Sequence, residues 1–105
     1  MTAISGSGPA YVFYFLEALS QVGIELGLSP VDSKQLAIGT FFGASQLALQ
    51  SQEALSTLRE RVTSKGGTTE AALLHMQKCN IAEGFKESVK RAQEKALELG
   101  NNYGK

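Results

Sequence analysis

Apolar residues along this chain fall into helix-spaced runs separated by short breaks that carry glycine, proline or serine, and no segment alternates apolar and polar positions as a half-buried strand would. The densest run lies between Ala10 and Leu26: Val12, Phe13, Phe15, Leu16, Leu19, Val22, Ile24 and Leu26, with Glu17, Ser20, Gln21 and Glu25 as its polar members beside two tyrosines. A helix apolar around most of its circumference must be buried on several sides. A chain of 105 residues has little room for that, so a second subunit is the expected burial agent. Ser7 is placed to cap this helix and Pro9 to sit in its first turn, where the missing N–H is no loss.

Gly27 predicts the end of the first helix, and Ser29, Pro30 and Asp32 predict the start of a second as N-cap, N1 and N3. The second helix is expected to reach about Gln50. Within it Gly39 and Gly43 share a face, and each costs up to about 1 kcal/mol against alanine, which predicts a close helix–helix approach there. A third helix is expected from Ser51 to Val62 and a fourth from Thr69 to about Lys78. Asn80 and Glu83 have the spacing of a capping box for the last helix, whose apolar stripe is Phe85, Val89, Ala92, Ala96 and Leu99. Lys86, Lys90, Arg91 and Lys95, balanced by Glu87, Glu94 and Glu98, form its solvated face. Residues 100–105 read as a frayed tail. The fold class is all-α, a bundle of about five to six helices forming a single domain over residues 1–105.

Composition narrows the partners. Ten basic and ten acidic residues cancel, so no net field draws the chain to nucleic acid or to an anionic membrane. No apolar run approaches the roughly 18 residues of a membrane span, and nothing at the N-terminus suggests export. A single Cys79 cannot form an internal disulfide, which fits a cytoplasmic location. It reads as a small buried hydrophobe near a turn. His75 is the only histidine and has no second metal ligand in register, so no metal site is expected. No serine–histidine–aspartate set or carboxylate pair stands out.

One stretch carries candidate chemistry. Thr63-Ser64-Lys65-Gly66-Gly67-Thr68-Thr69-Glu70 is a glycine-centred loop running directly into a helix. Two adjacent glycines allow positive φ and close approach of a ligand. The first amides of the helix lack intrahelical acceptors and point back at the loop, which makes a cradle for an anion. The same residues also suit plain helix capping, since Thr and Gly are both accepted N-cap residues. The pattern is not a P-loop, because Lys65 precedes the glycines and no Gly-x-x-x-x-Gly-Lys-Ser/Thr occurs.

Taken together, Ile4-Ser5-Gly6-Ser7-Gly8-Pro9-Ala10-Tyr11-Val12, Gly27-Leu28, Gly43-Ala44 and Val62-Thr63-Ser64-Lys65-Gly66-Gly67-Thr68-Thr69 resemble the C-terminal domain of pyrroline-5-carboxylate reductases over almost the whole chain. The resemblance implies an interlocked homodimer, alone or in a ring of dimers, similar to the helical domain of 6-phosphogluconate dehydrogenase-like reductases. It implies reduction of 1-pyrroline-5-carboxylate to L-proline with NADPH or NADH, the cofactor being held mainly by an N-terminal Rossmann domain. Ser64, Gly66, Gly67, Thr68 and Thr69 would then hold the substrate, with the amides of Thr68 and Thr69 as donors to its carboxylate. Thr69 would be the catalytic residue, its hydroxyl facing the ring nitrogen, and Ser7, Gly8, Pro9 and Arg61 would lie near the cofactor.

This chain departs from the family pattern at Lys65, where many members have proline, and at Arg61, often Asn or Met. It also contains no Gly-x-Gly-x-x-Gly after a strand and no βαβ unit, so alone it is expected to bind a dinucleotide poorly and to be inactive. The competing reading is a free-standing helical oligomerisation or ligand-binding module without catalysis.

Overall fold

A computed structural model describes the backbone of residues 2–103 and the side chains of residues 2–100. A five-residue π-helix, Thr2–Gly6, precedes five α-helices: α1 (Gly8–Glu25), α2 (Pro30–Gln50), α3 (Leu55–Arg61), α4 (Thr68–Lys78) and α5 (Ile81–Tyr103). No strand occurs among the described residues, and none of their helices is long and apolar enough to cross a membrane. The chain forms two compact units, Met1–Gly8 with Glu60–Lys105 and Pro9–Arg59.

Local chemistry ends α1 and starts α2 as the sequence predicts. Gly27 takes φ 111°, with Gly27 N–H donating to the Ile24 carbonyl and Leu28 N–H to the Gly23 carbonyl, both at 3.0 Å. This pair of bonds is the Schellman closure of a helix C-terminus. Ser29 is extended and its Oγ accepts from Asp32 N–H at 3.1 Å, so α2 is capped where Pro30 enters it.

The helices of this unit do approach closely, but at Gly23, not at Gly39 and Gly43. A Cβ on Gly23 would collide with Ser33 Oγ and lie 3.2 Å from Ser33 Cβ, whereas one on Gly39 or Gly43 would meet nothing within 4 Å. Ser33 is buried and its hydroxyl donates across to the Ser20 carbonyl at 2.6 Å. The short α1–α2 connection pins the two helices together at that end, so the tight contact falls beside the turn. Gly23→Ala gains about 0.5–1 kcal/mol of helix propensity. It loses more, about 1–3 kcal/mol through overpacking and about 1 kcal/mol for the displaced Ser33 bond. Thermal unfolding followed by circular dichroism is expected to show a lower Tm, and a Tm at or above that of the parent chain would contradict the close approach.

Three further expectations are corrected. The third helix begins at Leu55, not Ser51, because Ser51 adopts an extended conformation and its Oγ accepts from Glu53 N–H at 3.0 Å, a local turn that competes with helix. The Asn80–Glu83 capping box does not form. Asn80 has φ 54° and its N–H donates to the Gln77 carbonyl at 3.1 Å, so it closes α4 as the left-handed residue. Glu83 pairs with Lys86 at 3.1 Å instead. The expected tail from Gly100 is helical through Tyr103, and residues 104 and 105 lie outside the described set.

In the unit that contains them, the π-helix and α4 both pack on α5, where Val89, Ala92 and Ala96 are half-buried and Ala3 of the π-helix is buried. The outer face of α5 carries i,i+3 ion pairs, including Lys90–Glu87 at 3.8 Å and Lys95–Glu98 at 3.4 Å. Exposed pairs of this kind contribute little to stability. The apolar excess of α1 is not resolved within the chain: α1 has no buried residue, and Phe13 and Tyr14 are 67% and 68% exposed. On α2, Phe42 and Leu49 are 62% and 86% exposed.

Candidate functional site

The glycine-centred loop is a tight turn followed at once by α4. Gly67 N–H donates to the Ser64 carbonyl at 3.0 Å, and Gly66, the third residue of this four-residue turn, has φ 75° while Lys65 before it does not have positive φ. That combination is a type II turn, whose third position requires positive φ and favours glycine and whose second suits proline. The turn explains why Lys65 stands where proline fits well. A Cβ at Gly67 would also come within 3.2 Å of the Ser64 carbonyl oxygen, so the tightness of the turn constrains this position too.

Gly67 is the N-cap of α4 and provides no side-chain cap. Its carbonyl accepts from Ala71 N–H at 3.2 Å, which makes Thr68, Thr69 and Glu70 the first three helical residues. Their amides precede the first i→i−4 bond and face the loop side of the helix. Partial positive charge at the helix start adds to them, so the arrangement suits a carboxylate or another small anion. Gly67 holds the N-cap position without a side-chain bond, and the Thr68 and Thr69 amides have no partner among the described residues.

Ser64, Gly66, Gly67, Thr68 and Thr69 are thus brought together by one turn and one helix start. Thr69 is exposed, at the second helical position, and its hydroxyl makes no hydrogen bond among the described residues. Arg61 is the last residue of α3. Ser7, Gly8 and Pro9 form the junction between the π-helix and α1, where Ser7 N–H donates to the Thr2 carbonyl at 2.9 Å, the i→i−5 bond of the π-turn. Single π-turns recur at functional positions. Nothing in the periodicity of Thr2–Gly6 signals one, because five residues are too few for a pattern.

Glu70 is the residue that sequence reasoning undervalued. Its Oε1 accepts from Gly66 N–H at 2.9 Å, tying the helix start to the turn. Its place three residues after Gly67 is the capping-box spacing and could have signalled the bond. Cys79 is exposed, not buried, and its Sγ lies 3.5 Å from His75 Nε2 one helical turn away. A second soft ligand is therefore in register with His75 after all, but no group of three or more candidate ligands exists among the described residues. Two ligands fall short of a structural metal site.

Comparison with known proteins bears on the same residues. A family described as "Pyrroline-5-carboxylate reductase dimerisation" matches residues 1–99. The chain is 39% identical over 104 residues to pyrroline-5-carboxylate reductase of Pseudomonas aeruginosa, covering 99% of this chain and 38% of that protein. A solved structure of Plasmodium falciparum pyrroline carboxylate reductase with NADP bound is similar with a TM-score of 0.91 and 35% identity, over 94% of this chain and 38% of that one. A pyrroline-5-carboxylate reductase from Coxiella burnetii is similar with a TM-score of 0.89 and 40% identity, over 93% and 36% respectively. The chain therefore spans a little over a third of the length of these relatives.

Proposed function

We propose, since this chain belongs to the pyrroline-5-carboxylate reductase dimerisation family, that residues 1–105 are the helical dimerisation and substrate-binding domain of an enzyme reducing 1-pyrroline-5-carboxylate to L-proline. The observation that carries this reading is the Ser64–Gly67 turn set directly on the first turn of α4, inside the span that matches the family. NADPH or NADH would supply the hydride when bound. The described residues contain no dinucleotide-binding βαβ unit, so the cofactor would be held mainly by a further domain, with Ser7, Gly8 and Pro9 near its nicotinamide and Arg61 close to the cofactor. Support for such a domain comes from the greater length of the relatives and from the NADP in the Plasmodium structure.

The chain's own part is recognition and polarisation. The Thr68 and Thr69 amides receive the substrate carboxylate, and Ser64 opens the turn that shapes the site. The substrate's imine carbon accepts hydride while its nitrogen takes a proton, and the Thr69 hydroxyl donates a hydrogen bond to that nitrogen or relays the proton from water. A second copy of the chain covers the apolar faces of α1 and α2, in line with the family's dimerisation role. A bare oligomerisation module need not keep Thr69 and both glycine motifs, Ser7-Gly8-Pro9 and Gly66-Gly67-Thr68-Thr69, and their presence favours the catalytic reading.

The test is turnover followed by loss of reduced-nicotinamide absorbance. The 105-residue chain alone is expected to be inactive, and joining it to a family Rossmann half, covalently or in trans, to restore reduction of pyrroline-5-carboxylate. Turnover by the chain alone, or a joined enzyme that is folded, dimeric and inert, would overturn the reading.

A further inference from the structure

Glu70 stands at the third helical position of α4 and is half-buried, and a carboxylate there would ordinarily reach the N-cap amide. That amide, Gly67 N–H, is already bonded to the Ser64 carbonyl at 3.0 Å. The carboxylate goes one residue further and takes Gly66 N–H at 2.9 Å. Both amides of the glycine pair are therefore satisfied inside the chain. The donors that remain for an outside anion are those of the α4 first turn.

We infer that Glu70 is a positioning residue of the substrate loop: its carboxylate ties the Gly66 amide, keeps the type II turn closed, and so directs an incoming carboxylate to the Thr68 and Thr69 amides. The inference rests on the reading of this loop as the substrate site. Two effects of Glu70 oppose each other. Its bond orders a loop that contains two flexible glycines, which favours binding, while its negative charge repels a carboxylate nearby. The bond to Gly66 is solvent-exposed, where water and salt screen the repulsion, whereas the geometric constraint is unaffected by screening. Ordering wins on this account. What matters is then the reach and acceptor oxygen of the side chain, not its charge.

Three variants of the full-length reductase separate reach from charge. Glu70→Gln keeps an acceptor oxygen at the same distance without the charge. Glu70→Asp keeps the charge but is one methylene too short, and Glu70→Ala loses both. KM for pyrroline-5-carboxylate is expected to rise about tenfold in Glu70→Asp and Glu70→Ala, the equivalent of one hydrogen bond. Glu70→Gln should stay close to the parent, and kcat should change little in all three. In the 105-residue chain, hydrogen exchange at the Gly66 amide should accelerate in Glu70→Asp and Glu70→Ala but not in Glu70→Gln. If Glu70→Ala fails to fold, the Asp and Gln pair still decides.

A parent-like Glu70→Asp together with an impaired Glu70→Gln would make charge the active property and overturn the inference. So would an unchanged or lowered KM in Glu70→Ala, the lowered value marking the carboxylate as a competitor for the anion. If Gly66 exchange follows the expected order while the parent enzyme itself does not turn over pyrroline-5-carboxylate, the proposed function fails and the latch survives. If the parent turns over normally and all three variants match it, the latch fails alone.

Discussion

Thr69→Val in the full-length reductase is expected to lower kcat by roughly 10²-fold or more, the low end for a positioned acid–base group, with a modest change in KM and an unchanged Tm. Valine keeps the β-branched shape and removes only the hydroxyl. As the imine carbon accepts hydride, electron density builds on the nitrogen and must be met by a hydrogen bond or a proton. A threonine hydroxyl is a weak acid by itself, but it donates and accepts at once and can therefore relay a proton from water. Thr69 stands at the second helical position of α4, and its hydroxyl makes no hydrogen bond among the described residues, since Gly67 holds the N-cap position without a side-chain bond. Thr69→Ser is expected to recover much of the rate. Steady-state kinetics would decide, and a Thr69→Val enzyme with near-parental kcat would leave Thr69 a structural role and the chemistry to water.

The second large effect concerns assembly. The 105-residue chain is expected to sediment as a dimer at micromolar concentration, with more than roughly 2,000 Å² buried in total. The reason lies in what each unit fails to bury. Across α1 and α2, Phe13, Tyr14, Phe42, Leu47 and Leu49 are more than half exposed, and Ser33 and Ala37 are the buried residues of α2. An open groove between these helices, lined by apolar Phe13, Leu16, Ala37 and Ile38 and by polar Glu17, Ser20, Gln21 and Lys34, has a volume of about 430 Å³, enough to receive side chains of a second copy. Phe42→Ala is expected to weaken the dimer by about 2–4 kcal/mol, a rise in Kd between about 30-fold and about 1,000-fold. The Tm of the parent should rise with protein concentration, as for any dimer that folds and associates together. A well-folded parental monomer at micromolar concentration would refute the assignment of these faces to a partner.

The sequence by itself determined what depends on neighbours within one or two helical turns. Gly27 had to close α1, and Ser29-Pro30 had to open α2, because caps act on amides and carbonyls a few residues away. The all-α class, the solvated face of α5 and the loop running into a helix start were legible for the same reason. The resemblance carried by Ile4–Val12, Gly27-Leu28, Gly43-Ala44 and Val62–Thr69 located the family, and the match over residues 1–99 bears that out. Where two local signals competed for one residue, the outcome needed three dimensions. Asn80 could cap α5 with its side chain or close α4, and its left-handed backbone closes α4 while only its carbonyl, accepting from Gly84 N–H at 2.9 Å, joins α5. Ser51 could open α3 or turn the chain, and its hydroxyl bond to Glu53 N–H turns it. Glycine spacing could not tell which helix lies opposite, so Gly39 and Gly43 stand in open space within this chain while Gly23 meets Ser33. The latch from Glu70 to Gly66 likewise depended on the Gly67 amide being already taken by Ser64. Periodicity says which residues share a face; only the folded backbone says what that face meets, because side-chain contacts are decided by where the turns aim the helices.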